Sequence, residues 1–176
     1  MSRHVATALG AAFELKSLPR AGWSRVGIAA PESVAAHSWG MSLLILLLCP
    51  EELDRERAMG MAVVHDLAEV IVGDITPHDG VSPHDKALLE REAFIRLTEA
   101  LPRKQLLREL WEEYEAAQTP TARFVKACDK LDMALQAAVY ERTVGADTQE
   151  FILSAAQALP PGVLEALVPL EGLPGV

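Results

Sequence analysis

Three ionisable side chains stand together in an otherwise apolar stretch of the sequence. Between Ala58 and Val72 only His65, Asp66 and Glu69 can ionise. With about 100° of rotation per residue, a helix would place all three within one arc of its surface. Burying such groups costs several kcal/mol unless they are paired or bound to a metal ion. One divalent ion would satisfy several of them at once, whereas the alternative is a core histidine hydrogen-bonded to a carboxylate on a neighbouring helix.

Two further candidates for the same ion lie elsewhere in the chain. His37 stands among apolar residues in VAAHSWGMSLL, and Asp129 lies in FVKACDKLDM. The alternative for Asp129 is a salt bridge to Lys126, worth a few tenths of a kcal/mol. The other two His-Asp pairs, at 78–79 and 84–85, lie in polar segments where turn chemistry and helix capping explain them. Imidazole and carboxylate donors suit Mn²⁺, Fe²⁺, Co²⁺, Ni²⁺ or Zn²⁺, and Mg²⁺ remains compatible with a carboxylate-rich site.

The elements that must position these residues are helices. Helical periodicity dominates the chain, and no segment shows convincing alternation of β-branched residues, so we predict an all-α fold. A loop is expected over residues 19–31, and a Pro- and Gly-rich tail after residue 160, in which 163–167 could form one more turn. Capping, proline and glycine signals place the helices at about 3–16, 33–49, 54–72, 84–101, 103–117, 120–144 and 148–159.

Length and composition narrow the class of protein. A chain of 176 residues predicts one domain spanning 1–176, with a core at about 3–159. Lys plus Arg is 16 and Asp plus Glu is 25, and this net charge of −9 disfavours binding to nucleic-acid polymers or anionic membranes. The longest apolar run, residues 41–49, is shorter than a membrane span, and no secretory signal is recognisable. We expect a cytoplasmic protein with Cys49 and Cys128 as reduced core thiols.

The candidate ligands together resemble the HD-domain phosphohydrolases. Their pattern is a His, an adjacent His-Asp pair and a distant Asp, which here reads His37, His65, Asp66 and Asp129. PRAGWSRVGI, PESVAAHSW, HDLAEVIVGDITP, LWEEYE and FVKACDKLDMALQA are further similar to the HD-domain 5′-deoxynucleotidases, over roughly residues 15–140. The resemblance implies a single HD-type helical bundle, a divalent metal ion held by these four residues, and a homodimer.

The resemblance also implies roles for residues around the metal. The family positions that match Glu69 and Asp74 are catalytic, and some members use them for a further metal. An Arg and a Trp before the first His contact the nucleotide in the family, and the Trp matches Trp23. The family's Arg directly precedes that Trp, where this chain has glycine, so Arg20 and Arg25 are both candidates, and we prefer Arg20. The alternative for Trp23 is a core aromatic residue that anchors the loop.

These residues predict a metal-dependent phosphomonoesterase that converts nucleoside 5′-monophosphates, above all deoxy ones, to nucleoside and phosphate. The metal ion would activate water, Glu69 and Asp74 would divide the acid and base roles, Arg20 would clamp the phosphate, and Trp23 would form an apolar wall. The partner expected is a small-molecule nucleotide. The alternatives are another HD-type nucleotide phosphohydrolase (a dNTP triphosphohydrolase or a phosphodiesterase), a non-catalytic metal- or nucleotide-binding module, and a helical interaction protein.

Overall fold

Helices account for the regular structure of the part of the chain that the structure describes. The computed structural model describes residues 3–159, so the predicted tail, with its turn over 163–167, lies outside the described residues. Within residues 3–159 there is no β-strand, and the prediction of an all-α fold is confirmed. The elements are α1 Arg3–Phe13, a 3-10 helix Glu14–Lys16, α2 Ala21–Arg25, α3 Val34–Leu48, α4 Arg55–Val64, α5 Glu69–Val72, α6 Pro83–Thr98, α7 Lys104–Ala116, α8 Pro120–Val144 and α9 Gln149–Ala158.

Local capping signals set the ends of the helices that carry two of the candidate ligands. Ser33 Oγ accepts a hydrogen bond of 3.1 Å from the backbone amide three residues later and so begins α3. Thr119 Oγ1 does the same at 3.1 Å for α8, which ends at Gly145 in the left-handed conformation, with φ 66°. These boundaries agree with the sequence, because side-chain caps and a left-handed glycine are local devices.

The sequence-based outline is wrong at two places. The loop expected over residues 19–31 contains the short helix α2, and the helix expected over 54–72 is divided into α4 and α5 by four residues in turns. At this division Trp111 Nε1 donates a hydrogen bond of 3.1 Å to the carbonyl oxygen of His65. The amide of Glu69 therefore bonds to the carbonyl oxygen of Asp66, at 3.0 Å, instead of to that of His65. The backbone hydrogen bonds thus change here from the α-helical to the 3-10 pattern, and His65 and Asp66 lie in the resulting turn.

The long helix α8 lies at the centre of the bundle and packs against α3, α4, α7 and α9. The largest hydrophobic cluster contains Met41 of α3, and Phe94 and Trp111, whose rings stack at 4.9 Å. Cys49 and Cys128 are buried in this cluster as free thiols, as the sequence predicts. None of the helices in residues 3–159 has the length and hydrophobicity needed to cross a lipid bilayer.

Candidate active site

The four residues predicted as metal ligands meet where α3, α8 and the turn after α4 come together. His37 Nε2 lies 3.3 Å from His65 Nε2 and 3.3 Å from Asp129 Oδ1. His65 Nε2 lies 2.9 Å from Asp66 Oδ2. The ligand atoms of His37, His65 and Asp129 all lie within 4.8 Å of one another, and Asp66 adjoins this trio. We call these four residues the His-Asp cluster.

Both imidazoles of the cluster are oriented by contacts on the far side of the ring. His65 Nδ1 lies 3.0 Å from the carbonyl oxygen of Ala62, and His37 Nδ1 lies 2.7 Å from Asp132 Oδ2. Since a carbonyl and a carboxylate only accept, each Nδ1 is the protonated nitrogen and donates. In neutral imidazoles the Nε2 lone pairs then face each other across 3.3 Å. Such an arrangement is repulsive unless a proton or a metal ion lies between the two nitrogens.

The spacing of the cluster fits a divalent metal ion. Nitrogen and oxygen ligands at about 2.1 Å from an ion lie about 3.0–3.4 Å from one another in tetrahedral or octahedral geometry. The contacts from His65 Nε2 to Asp66 Oδ2 and to His37 Nε2, at 2.9 and 3.3 Å, fall close to that range. The site can therefore hold a divalent cation, and the donor set by itself does not select one metal.

The electrostatics of the cluster also favour a positive charge at its centre. Burial and the charge of Arg20 lower the pKa of His37, but hydrogen bonds to Asp129 and Asp132 outweigh them and raise it to about 10. Burial opposes ionisation of Asp129, yet its hydrogen bond to His37 and the charge of Lys130 hold its pKa well below the usual range. The carboxylates thus hold a proton on His37, and a divalent ion would compete for the same place.

Glu69 begins α5, lines the cavity above the cluster and is 4% exposed. Its Oε2 atom is buried and has no hydrogen-bond partner within residues 3–159. Burial first, and then the charges of Asp66 and Asp74, raise the pKa of Glu69 to about 10. A buried carboxylate oxygen without a partner is rare in a native protein, and water, a metal ion or a substrate in the cavity would satisfy it.

Arg20 joins two carboxylates at the wall of the same cavity. Its Nη1 lies 3.3 Å from Asp66 Oδ2 and 3.8 Å from Asp74 Oδ1, while the backbone amide of the next residue donates to Asp74 Oδ2 at 2.7 Å. Burial lowers the pKa of Arg20, but the charges of Asp66 and Asp74 outweigh it and raise that pKa above its usual value. Arg25, the other candidate, is ion-paired with Glu150.

Trp23 is a core side chain that also forms part of the cavity wall. Its indole is 2% exposed, and its Nε1 donates a hydrogen bond of 2.9 Å to Glu32 Oε1. Its ring packs against Tyr140 at 5.3 Å and Phe151 at 4.2 Å between centroids. Trp23 is therefore both a core aromatic residue that anchors its loop and part of the cavity wall, which are the two interpretations that the sequence left open.

The cavity over the cluster has a volume of about 510 Å³, within the range of about 300–1,000 Å³ usual for small-molecule sites. His65, Asp66 and Asp129 line it, together with Glu69. Five cationic residues line the cavity together with seven acidic ones, so a divalent ion at the His-Asp cluster would add to its attraction for an anion; the cationic residues are Arg20, Arg25, Lys86, Lys126 and Lys130. Of the other two His-Asp pairs, His84 is exposed at the start of α6, and the exposed His78 lines the cavity.

Two side chains that the sequence analysis missed contact the cluster. Tyr114 OH donates to Asp129 Oδ2 at 3.3 Å, and Asp132 contacts His37. Helical spacing was a signal for Asp132, because residues three apart on α8 share a face with Asp129. No local signal connects Tyr114 to the cluster, since it comes from α7. The salt bridge considered for Asp129 is replaced by a 3.1 Å ion pair between Lys126 and Glu115.

The chain is an all-helical bundle in which a His, a His-Asp pair and a distant Asp meet at one cavity. This arrangement is that of a helical protein with a site for a divalent metal ion. The family model described as an HD domain matches residues 12–165, and the chain belongs to the HD-domain family.

The more particular likeness comes from individual relatives. The chain is 46% identical over 134 residues to the 5′-deoxynucleotidase hdd1 of Schizosaccharomyces pombe, covering 73% of this chain and 68% of the relative. It is 43% identical over 146 residues to the 5′-deoxynucleotidase HDDC2 of Danio rerio, covering 80% and 72%. The crystal structure of the PH0347 protein from Pyrococcus horikoshii superposes with a TM-score of 0.74 at 32% identity, covering 93% of this chain and 95% of that one. The resemblance to HD-domain 5′-deoxynucleotidases is thus confirmed.

Proposed function

We propose that this protein is a metal-dependent 5′-deoxynucleotidase that hydrolyses deoxynucleoside 5′-monophosphates to nucleoside and phosphate. The names of its relatives support this assignment, at 43–46% identity over most of the chain. The observation that carries it is the placement of Glu69, whose Oε2 has no hydrogen-bond partner within the described residues, beside the His-Asp cluster in a cavity that Arg20 also lines. A module that only binds metal or nucleotide would have no need of such a general base.

His37, His65, Asp66 and Asp129 would hold one divalent ion, for which Co²⁺, Mn²⁺, Mg²⁺, Zn²⁺, Fe²⁺ and Ni²⁺ are the candidates. When bound, such an ion lowers the pKa of water and offsets charge on phosphoryl oxygens. The fit of the residues to the ion rests on the two facing Nε2 atoms and on the carboxylates around them.

The chain's own residues supply proton transfer and substrate placement. Glu69 keeps its proton in the metal-free protein, where its pKa is raised to about 10, and a divalent ion bound beside it would lower that pKa. Ionised in this way, Glu69 is proposed to take a proton from the attacking water through Oε2, which has no hydrogen-bond partner within residues 3–159. Asp74, held by Arg20 and a backbone amide, is proposed to assist protonation of the leaving 5′-oxygen. Proton transfers of this kind are typically worth about 10²- to 10⁴-fold in rate.

Binding of the nucleotide is proposed to use the two sides of the cavity. Arg20 has five N–H donors, and it contacts both Asp66 and Asp74 through Nη1. The remaining donors can form a bidentate contact with phosphate. Trp23 forms the apolar wall for the sugar or base.

One assay tests the assignment. The purified protein is stripped with a chelator, each candidate metal ion is restored alone, and products are measured from ribo- and deoxynucleoside mono- and triphosphates. We expect phosphate from deoxynucleoside monophosphates, a loss of about 10²- to 10⁴-fold in Glu69→Gln, and no activity in Asp129→Ala. His84→Ala, in the exposed His-Asp pair, is the matched control and should stay active. Tripolyphosphate from dNTPs, or bound metal without turnover of any nucleotide, would contradict the proposal.

Domain extent, assembly and location are part of the same proposal. We propose one HD domain over 1–176, with its core at about 3–159, acting as a homodimer in the cytoplasm. An exposed apolar face on α3, formed by Trp39, Leu43, Leu46 and Leu47, supports self-association. Sedimentation equilibrium of the purified chain tests the dimer, and a monomer at all concentrations would contradict it.

A further inference from the structure

Asp132 lies behind the His-Asp cluster, where it contacts the ring of one predicted ligand. Its Oδ2 is 2.7 Å from His37 Nδ1, the nitrogen that points away from the other ligands. The His37 side chain is 1% exposed and that of Asp132 is 13% exposed, so this contact is largely shielded from water. Asp132 does not line the cavity, and it has no direct access to a nucleotide bound there.

Gly40 makes room for this carboxylate. A Cβ atom built on Gly40 would lie 1.9 Å from Asp132 Oδ1 and 3.0 Å from Asp132 Cγ. Gly40 lies one helical turn after His37 on α3, on the same side of the helix. A glycine in a helix interior costs about 0.5–1 kcal/mol relative to alanine. Here that cost has a local reason, because any larger residue would displace Asp132 from His37.

The contact is a hydrogen bond and not part of a second metal site. Glu32, His37 and Asp132 also lie close enough together to be considered as ligands. The 2.7 Å between Asp132 Oδ2 and His37 Nδ1 is the length of a charge-assisted N–H···O hydrogen bond, so this nitrogen carries a proton and has no lone pair to offer a second ion. Glu32 is further engaged by Trp23 Nε1 at 2.9 Å.

We propose that Asp132 and Gly40 act as a positioning pair, in which Asp132 orients His37 for metal binding and Gly40 admits Asp132. The inference rests on the proposed function, since it assumes a metal ion at the His-Asp cluster. Asp132 accepts the Nδ1 proton, so the lone pair of Nε2 points at His65 and Asp129. Carboxylates in this position fix the tautomer of a ligating histidine and raise its basicity, and their loss typically weakens metal binding about 10- to 100-fold.

The primary test is the dissociation constant of Zn²⁺, measured by competition with a chromophoric chelator. The tight site is identified as the one that Asp129→Ala abolishes. We expect Asp132→Ala and Gly40→Ala each to weaken this site about 10- to 100-fold. Asp132→Asn keeps an accepting oxygen and should lose less than Asp132→Ala. Gly10→Ala, in α1, is the matched glycine control because no atom of the described part of the chain lies within 4 Å of its added Cβ, and the dissociation constant of this variant should be unchanged.

A double-mutant cycle tests whether Gly40 acts through Asp132. In an Asp132→Ala background the space beside Gly40 is free, so adding Gly40→Ala should cause no further loss. A spectroscopic measurement separates orientation from folding. In the Zn²⁺-loaded protein, NMR of the histidine ring should show a protected Nδ1–H on His37, which Asp132→Ala and Gly40→Ala lose and Gly10→Ala retains.

The outcomes distinguish this inference from the proposed function. Unchanged Zn²⁺ affinity in Asp132→Ala, or additive losses in the cycle, would overturn the positioning pair while leaving nucleotidase activity intact. Weakened Zn²⁺ binding in Asp132→Ala and Gly40→Ala, together with a metal-loaded wild-type protein that hydrolyses no nucleotide, would support the pair and contradict the proposed function. A wild-type protein without a tight Zn²⁺ site would overturn the positioning pair, and it would overturn the proposed function as well if none of the other candidate ions supported hydrolysis. If Asp132→Ala does not fold in chelator, Asp132→Asn and Gly40→Ala decide the question.

Discussion

The buried carboxyl of Glu69 makes the stability of the metal-free protein depend on pH in a specific way. Burial, and then Asp66 and Asp74, raise its pKa to about 10 in the folded chain, against about 4.3 in an unfolded one. The folded state therefore keeps a proton that the unfolded state releases. The stability that this group contributes is complete below about pH 4.3 and is lost as pH rises towards 10.

The magnitude follows from this proton difference. One proton retained by the folded state changes the free energy of unfolding by at most about 1.4 kcal/mol per pH unit. Between pH 6 and 8 the wild-type protein should lose up to about 2.7 kcal/mol through this group. Glu69→Gln cannot ionise, so its stability relative to wild type should rise by up to that amount over the same interval.

The measurement is urea unfolding in the presence of chelator at pH 6, 7 and 8 for both proteins. Glu92→Gln, at an exposed position of α6, is the matched control, and its difference from wild type should not change with pH. Adding Zn²⁺ should reduce the change with pH in the difference between Glu69→Gln and wild type, because a nearby cation favours the carboxylate form of Glu69 in the wild-type protein. A difference between Glu69→Gln and wild type that stays flat from pH 6 to 8 without metal would refute the reasoning.

Three further predictions concern substrate binding, packing and assembly. Arg20→Lys removes a bidentate contact and should raise KM for a deoxynucleoside monophosphate about 10- to 100-fold; a larger effect in Arg25→Lys would identify the other arginine as the clamp. Gly60→Ala places a Cβ 2.9 Å from Leu110 Cδ1 and should lower the free energy of unfolding, measured with urea, by about 1–3 kcal/mol. A higher free energy of unfolding in this variant would show that the Leu110 side chain moves aside without cost. Leu47→Lys, at a position 68% exposed, should leave the monomer folded and weaken the dimer in sedimentation, and an unchanged dimer would exclude this face.

Much of the fold was predictable because its signals are local. The caps at Ser33 and Thr119 and the left-handed Gly145 are read from neighbouring residues, and they set the limits of α3 and α8 correctly. The break between α4 and α5 has no such signal. It depends on Trp111, which lies 46 residues from His65 in the chain. The indole N–H of Trp111 donates to the carbonyl oxygen of His65, which a continuous helix would use for a backbone hydrogen bond. The helix α2 was missed for the same kind of reason, since its loop is tied to Asp74 through a distant amide contact.

The candidate site also has a part that the sequence predicts and a part that it does not. The sequence by itself determined which side chains are the candidates, because His37, His65, Asp66 and Asp129 are ionisable groups in apolar segments and match a family pattern. Only the tertiary structure decided how they are held. Asp132 reaches His37 because α8 packs against α3 at a glycine, and this close approach depends on how two distant segments pack. The same packing leaves Oε2 of Glu69 without a hydrogen-bond partner among residues 3–159, since burial in a cavity is a property of the whole bundle and not of any local pattern of residues.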